Sequence, residues 1–342
     1  MTEAPPPPSG GPADLLSLER LPPPIVEPIR DAVIMPVGPD AGISCGVFRS
    51  DGSFCDLSRT RISKSRFSAV PDHPGHASRP ALEGTYLFGG IGRHHFGHFI
   101  METLARLWAM DGRQDRFDGL ILLPMHKTDF GAVLRRRMLS FFRLMGCDMP
   151  LHLVRTPVTA QTLYLPAQGF GHMQWATGTD EFRRYVRERI DRNCPAIGPD
   201  KIYISRSKLK FSHQRVDQEV RIEKLMKSAG YAIFHPQRHS IRAQCQVYRA
   251  AHTIVGGDGS AFHLAPFAMQ SETRLGLIQR RPRVDAIEAI AQQIEAFATI
   301  DLVQLNPMKK AEDEDAVLQN KDSAAPISFH KLKEQLEAAH LI

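Results

Sequence analysis

Short apolar segments alternate with helical patterns from residue 201 to residue 305, and few folds accommodate so regular an alternation. The apolar segments have the length and β-branched content of buried strands, whereas the segments between them repeat apolar residues at helical spacing. The predicted strands are 201–205, 231–234, 253–255, 274–278 and 301–305, and the predicted helices are 217–229, 241–251, 260–268 and 284–297. Strands joined by helical crossovers form a parallel sheet, so we predict a Rossmann-like domain of the α/β class.

The residues before this region indicate a second, less regular unit. Between residues 25 and 87, short apolar runs alternate with turn residues, which is typical of β-rich structure with long loops. Later segments predict helices at 97–110, 130–145 and 180–192 and strands at 120–123, 152–154 and 162–165. Because 342 residues exceed what one core usually supports, we expect more than one domain. The predicted division is a disordered tail at 1–24, domains at 25–195 and 196–308, and at 309–342 a linker and a final helix that packs back on the first domain.

The charge balance favours an anionic partner, which could be a phosphorylated small molecule or an anionic lipid. The chain has 43 basic and 37 acidic side chains and a formal net charge of +6, without concentrated Lys/Arg tracts, so we expect no nucleic acid partner. Five scattered cysteines give no disulfide framework or cysteine zinc site. No signal peptide and no run of about 20 apolar residues is evident. We therefore expect a cytoplasmic protein, with peripheral membrane contact at the inner face as a further expectation.

Basic side chains follow the first strand of the predicted parallel sheet. Arg206 and Lys208 come directly after strand 201–205. Arginine binds phosphate oxygens bidentately and lysine adds a point charge, although a solvated turn is the alternative for such a pair. Arg215 and Glu219, near the start of the next helix, favour a ligand site, because a carboxylate there can receive ribose hydroxyls.

A glycine-rich turn follows the third strand of the same sheet, with Gly257, Asp258, Gly259 and Ser260 in succession. Glycines let a backbone approach phosphate oxygens, and the helix after them offers N–H groups. A tight turn without a ligand is the alternative. The turn lacks the third glycine of a dinucleotide fingerprint and the Gly-Lys-Ser/Thr of a P-loop. Because parallel strands end at one edge, we expect Arg206 and Gly259 to meet there and hold a diphosphate.

Histidines are concentrated in the segment GRHHFGHFIMETLARLW. On a helix, His94, His98 and Glu102 would lie four residues apart on one side, with His95 beside them. Three interpretations stay open at this point. The group could be a general base with its orienting carboxylate, a metal site, or the polar face of a half-buried helix.

Together these segments resemble glycosyltransferase family 61, whose bacterial members are often labelled capsular polysaccharide biosynthesis proteins. The resemblance runs from about Phe88 to Gln279 and includes the histidine segment, KIYISRSK with the downstream Arg215 and Glu219, GYAIFHP, and AHTIVGGDGSAFHLAPF. It implies a GT-B-like fold, with two Rossmann-like domains facing a cleft, and an inverting transfer from a nucleotide-sugar with no metal or other cofactor. Domain 25–195 would then lie on the acceptor side, and domain 196–308 would bind the nucleotide-sugar.

The resemblance carries over to individual residues. Arg206 matches the arginine that ends the first strand of the donor domain, Gly259 and Ser260 match the small residues that open the donor-side helix, and His98 falls in the segment facing the cleft.

The chain departs from the family pattern at three places. Many members have His-Gly-Ala-Gly-Leu-Thr-Asn where this chain has Asp258 at the first position and Leu264 at the last. The expected Asn-Glu pair is Gln218-Glu219. These changes affect which side chain is the base and which sugar nucleotide fits.

The resulting hypothesis is a metal-independent hexosyl- or pentosyltransferase that moves a sugar from a nucleotide-sugar to a hydroxyl of a growing polysaccharide or a lipid-linked saccharide. We predict His98, oriented by Glu102, as the base, with Asp258 as the alternative. The residues predicted to bind substrate are Arg206, Lys208, Arg215, Glu219, Gly257, Gly259, Ser260, His263, His94, His95 and His235. The alternative function is a non-catalytic sugar- or nucleotide-binding subunit of a polysaccharide assembly complex. A Rossmann oxidoreductase is disfavoured, because Arg206 and His235 stand where its glycine fingerprint and acidic residue would lie.

Overall fold

The computed structural model describes residues 16–39, 42–75, 77–113, 116–125, 129–300, 302–309 and 323–342. Residues 1–15 of the predicted tail and residues 310–322 of the predicted linker lie outside this part of the chain. The described residues form two compact units. Unit 1 draws them from Met1–His94, Glu102–Gly131 and Met149–Phe182, and unit 2 draws them from His95–Met101, Ala132–Asp148 and Arg183–Ile342. The domain boundaries expected at residues 195 and 308 stay predictions.

Unit 1 contains a six-stranded mixed sheet. Its strands are β1 (Val26–Met35), β2 (Gly46–Phe48), β3 (Ala81–Gly92), β4 (Gly119–Pro124), β5 (Leu151–Leu153) and β6 (Val158–Pro166). In the order β2-β1-β6-β3-β4-β5, β1 is antiparallel to β2 and β6, and the remaining pairs are parallel. The connection from β1 to β2 is too short for a crossover helix, so these strands pair antiparallel. The sheet is therefore mainly parallel but lacks the all-parallel arrangement expected of a Rossmann-like domain.

The segment from residue 96 to residue 110 is not the continuous helix that its apolar spacing predicts. It consists of α1 (Phe96–His98), a π-helical turn (Phe99–Thr103) and a 3-10 turn (Leu107–Met110). Buried polar side chains accompany the irregular backbone. The hydroxyl of Thr103 donates to the Ile91 carbonyl at 2.8 Å, and the fully buried Arg106 donates to the carbonyls of Arg59 and Pro166. Both side chains are therefore polar and buried within unit 1, which an amphipathic helix with one apolar face does not predict.

Unit 2 contains a five-stranded sheet in which all described strand pairs are parallel. Its strands are β7 (Lys201–Ile204), β8 (Ala232–Phe234), β9 (Thr253–Gly257), β10 (Arg274–Ile278) and β11 (Leu302–Leu305). The order is β11-β10-β9-β7-β8, which is the doubly wound order 2-1-3-4-5 when the strands are counted within the unit. The α/β class is thereby confirmed, and the predicted strands agree with the observed ones to within two residues.

Helices connect the strands of unit 2 as the sequence predicts, whereas a π-helical turn (Leu134–Met138) interrupts the helix predicted at 130–145. The described helices after α1 are α2 (Phe130–Val133), α3 (Leu139–Leu144), α4 (Asp180–Asn193), α5 (Glu219–Ser228), α6 (Ile241–Ala250), α7 (Ala261–Ala268), α8 (Val284–Gln293) and α9 (Phe329–Ala338). Ser240 caps α6 as predicted, because its hydroxyl accepts a hydrogen bond from the backbone N–H of Ala243. Within the described part of the chain, the helices are too short or too polar to cross a lipid bilayer.

Helix α9 completes the core of unit 2. Leu332 and Leu336 are fully buried in the apolar cluster that includes Tyr203 of β7, Val255 of β9 and Ile278 of β10. The expectation that this helix packs back on the first domain is therefore wrong. The leucines at helical spacing predict an apolar face, but the spacing alone does not specify which sheet that face covers.

Candidate functional site

The sheet of unit 2 has a topological switch point between β7 and β9. The chain proceeds from β7 to β8 on one side, and from β9 to β10 on the other, so the connections after β7 and β9 diverge. In open parallel sheets of this kind, ligands bind outside the carboxyl ends of the strands at the switch point. The loop after Ile204 and the turn after Gly257 therefore occupy the expected position for a ligand site.

Arg206 and Gly259 meet at this switch point. A Cβ atom at position 259 would lie 2.9 Å from the guanidinium carbon of Arg206, so the guanidinium rests directly on the glycine backbone. The Arg206 Nε donates to the carbonyl of Gln214 at 2.6 Å, which fixes the direction of the side chain. Burial lowers the pKa of Arg206, while nearby Asp258 and Glu219 act in the opposite direction. The predicted encounter of the two strand ends is confirmed, and their roles in binding stay predictions.

A cavity of about 780 Å³ opens beside Arg206. Four cationic side chains line it, those of Arg136, Arg206, Lys208 and Lys210, and none of the described residues in its lining is acidic. Ser260, at the start of α7, also lines it. Four cationic side chains around a concave site favour an anion, and nearby Glu219 and Asp258, outside the lining, offset part of that positive charge. The volume lies within the range of small-molecule sites.

Two of the predicted ligand-binding residues brace the loop that carries Arg206, and their roles in binding stay predictions. The buried carboxylate of Glu219 accepts hydrogen bonds from the backbone N–H of Arg206 at 2.6 Å and of Val216 at 3.1 Å. Arg215 donates twice to the carbonyl of Leu209, at 3.0 and 2.7 Å. Burial raises the pKa of Glu219, and the two backbone donors partly offset that effect. Both residues act on the shape of the loop rather than lining the cavity.

Glutamine in place of Glu219 is expected to destabilise this loop. The amide retains one acceptor oxygen and turns an N–H₂ donor toward a backbone N–H, so one buried donor loses its partner at a cost of about 1–3 kcal/mol. Glu223→Gln is the matched control, because Glu223 accepts from the hydroxyls of Ser205 and Ser207, and hydroxyls can rotate. Chemical denaturation of both variants would measure the difference. Equal losses of unfolding free energy would contradict the bracing role of Glu219.

Asp258 is held by two arginines. One carboxylate oxygen accepts from Arg281 Nε at 2.8 Å and the other from the Arg280 backbone N–H at 3.1 Å, while the Arg280 Nε donates to the Asp258 carbonyl at 2.9 Å. The aspartate is 1% exposed. Burial, with Arg206 nearby, lowers the pKa of Arg280 to about 10. A carboxylate with both oxygens engaged by cationic residues suits an anchor between two strand ends better than a proton acceptor.

The predicted histidine segment passes from unit 2 into unit 1 between Met101 and Glu102. His94 and His95 are exposed, and His98 is half-buried at the end of α1, with its ring 5.8 Å from that of His95. Glu102 is fully buried in unit 1, where its carboxylate lies 3.2 Å from Arg93 Nε and 3.1 Å from His172 Nε2. Divalent metals accept imidazole nitrogens and carboxylate oxygens as ligands. That the reaction needs no metal stays a prediction.

His263 has a structural partner that the sequence does not indicate, and His235 lies in a partly buried environment. His263 Nδ1 lies 2.6 Å from Gln293 Oε1, and Gln293 Nε2 donates to the His263 carbonyl at 2.9 Å. This reciprocal pair fixes the ring, which lies against Gly97 where a Cβ atom would clash. Burial lowers the pKa of His235, whose buried Nδ1 has no hydrogen-bond partner among the described residues.

Several residues of the site are missing from the sequence-based prediction. Lys210 and Phe211 continue the same KIYISRSKLKF run as Arg206, so proximity could have identified them. Arg280 and Arg281 lie within three residues of the end of β10, at the edge where β7 and β9 also end. Arg136 comes from a segment about 70 residues before β7, and its sequence carries no signal that places it here.

Comparison with known proteins agrees with this geometry. The family model described as Glycosyltransferase 61 matches residues 96–276, more than half of the chain. No curated protein matches the chain significantly. The matched region contains β7, β8 and β9 with the loop and the glycine turn at the switch point. The chain therefore belongs to the glycosyltransferase 61 family, whose members transfer a sugar from a nucleotide-sugar donor to a saccharide acceptor.

Proposed function

We propose that unit 2 binds a nucleotide-sugar with its diphosphate in the cavity beside Arg206. The observation that carries the proposal is the set of four cations around a cavity at the switch point, with no acidic residue in the described lining. A diphosphate carries the charge that such a set neutralises, and arginine adds bidentate geometry. Ser260 and the following N-terminus of α7 add dipoles of the same sign.

Transfer in this proposal proceeds with inversion and without a metal. The sugar leaves the diphosphate as an acceptor hydroxyl attacks the anomeric carbon from the opposite face. Cations that already contact the diphosphate stabilise the negative charge that develops on the leaving group. The base that removes the hydroxyl proton is His98, since both oxygens of Asp258 are already engaged. The acceptor is a polysaccharide or lipid-linked saccharide, and the GT-B-like arrangement of two units around a cleft is part of the same proposal.

Ligand-induced stabilisation tests the donor site. A nucleoside diphosphate at 100 times its dissociation constant is expected to stabilise the folded protein by about 2.7 kcal/mol, which appears as a higher melting temperature. Arg206→Lys retains the charge but loses the bidentate fork, so we expect about 10- to 100-fold weaker binding. Arg242→Lys, at an exposed position of α6 outside the cavity lining, is the control and should bind normally.

Unchanged affinity for nucleoside diphosphate in Arg206→Lys would contradict the proposed site.

Hydrolysis of the nucleotide-sugar distinguishes an enzyme from the alternative function of a non-catalytic binding subunit. Such a subunit would bind the nucleotide-sugar and show no slow hydrolysis of it, whereas an enzyme of this kind releases nucleoside diphosphate at a measurable rate when water replaces the acceptor.

A further inference from the structure

Phe211 is a half-exposed aromatic residue that lines the cationic cavity. It lies in the loop after β7 and lines the same cavity as Arg206, Lys208 and Lys210. Its exposed fraction is 50%, although a phenylalanine ring is large enough to gain about 1.5–3 kcal/mol from full burial. An exposed aromatic ring at the wall of a ligand cavity is a surface that a second flat group can cover.

The ring is held in place by its neighbours on the loop. The His213 ring lies 5.6 Å from it and is inclined by only 21°, in a stacked arrangement. The Lys210 Nζ lies 5.3 Å from the ring centroid, a cation–π contact. The backbone N–H of Gln214 donates to the Phe211 carbonyl at 3.1 Å and closes the turn below the ring. The plane of the ring is therefore supported before any ligand arrives.

We propose that Phe211 is the stacking surface for the nucleobase of the donor. This inference depends on the proposed function and adds the recognition of the base to that of the diphosphate. Arg206 and Lys208 attract the phosphates, while the exposed part of the Phe211 ring covers a planar heterocycle bound in the same cavity. The Lys210 side chain is flexible, so its ammonium group moves from the Phe211 ring to a phosphate oxygen when the nucleobase stacks on the ring. Stacking depends on a π-face that every base has, so it provides affinity for a nucleobase of any identity.

Isothermal titration with two probes separates this role from that of the cations. The first probe is a nucleoside diphosphate and the second is inorganic pyrophosphate, which has the same anionic group without a base. We expect Phe211→Leu to weaken nucleoside diphosphate binding about 5- to 100-fold, because base–aromatic stacking contributes in that range. Pyrophosphate binding should not change. Phe211→Trp restores a larger π-face, so it should recover the affinity for nucleoside diphosphate.

Each further outcome counts against a stated part of the proposal. If Phe211→Leu leaves both affinities unchanged, or weakens both equally, Phe211 is not the stacking surface and the donor site itself stands. If the wild-type protein binds pyrophosphate as tightly as nucleoside diphosphate, base recognition is absent and the proposal is overturned. If the wild-type protein binds neither probe, the proposed function fails and this inference fails with it. The melting temperature of each variant verifies that it is folded.

Discussion

Asparagine at position 258 is expected to lower the free energy of unfolding by about 3–5 kcal/mol, the usual cost of breaking a buried ion pair by removing one partner. Asp258 is buried, and its two oxygens accept from Arg281 Nε and the backbone of Arg280. The variant turns a neutral amide toward donors and leaves the cationic charge without its carboxylate. Urea denaturation monitored by circular dichroism would measure the loss.

An exposed ion pair in the same unit provides the control. Arg283 contacts Asp285 at 2.7 Å, and the Asp285 side chain is 51% exposed, so Asp285→Asn should cost only about 0–1 kcal/mol. The Asp258→Asn and His98→Gln variants together test which residue is the catalytic base. Activity of the Asp258→Asn variant should fall in proportion to its unfolded fraction, whereas His98→Gln should remain folded and lose turnover. A folded, stable but inactive Asp258→Asn protein would favour Asp258 as the base.

Alanine at position 259 is expected to weaken nucleoside diphosphate binding about 10- to 100-fold, the loss that accompanies a displaced charged hydrogen-bonding group. The new methyl group would lie 2.9 Å from the guanidinium carbon of Arg206 and closer to one of its nitrogens, so the guanidinium must move. That movement would break or distort the hydrogen bond from Arg206 Nε to the Gln214 carbonyl, because the bond from the Arg206 backbone N–H to Glu219 holds the backbone in place. Titration calorimetry with a nucleoside diphosphate would measure the change.

Gly230→Ala separates backbone strain from this steric effect. Gly230 has a φ of +85°, and no heavy atom lies within 4 Å of a Cβ atom placed there. The substitution should cost about 1–2 kcal/mol of stability through its left-handed backbone and should leave binding unchanged. If Gly259→Ala bound nucleoside diphosphate as well as Gly230→Ala does, Arg206 would not depend on the space that Gly259 provides.

The sequence predicts the sheet of unit 2 well because its strands are short, apolar and separated by helices. The strand predicted at 274–278 agrees fully with β10, and Ser240 caps α6 as expected. The same logic predicts that Arg206 and Gly259 converge, since parallel strands end at one edge whatever the details of packing. The local sequence pattern is sufficient to predict neighbouring residues where the order of the strands alone determines them.

Local pattern is insufficient where partners come from distant segments. The sequence predicts Glu219 as a ribose ligand but does not indicate that its carboxylate accepts hydrogen bonds from the backbone amides of Arg206 and Val216. Glu102 is predicted to lie on a regular helix, but it lies in a π-helical turn, and the sequence does not indicate its contact with His172, about 70 residues later. Such outcomes depend on loop conformation, which hydrophobic periodicity does not encode.

The interrupted course of unit 2 along the chain limits how it can be studied in isolation. His95–Met101 and Ala132–Asp148 belong to it, and Phe99 packs its ring 6.0 Å from Phe141 across that interruption. A fragment beginning at residue 183 would contain the whole parallel sheet but would lack both earlier pieces, leaving the apolar surface they cover open to water. Chimeras that exchange this unit between relatives would consequently need three crossover segments rather than a single splice.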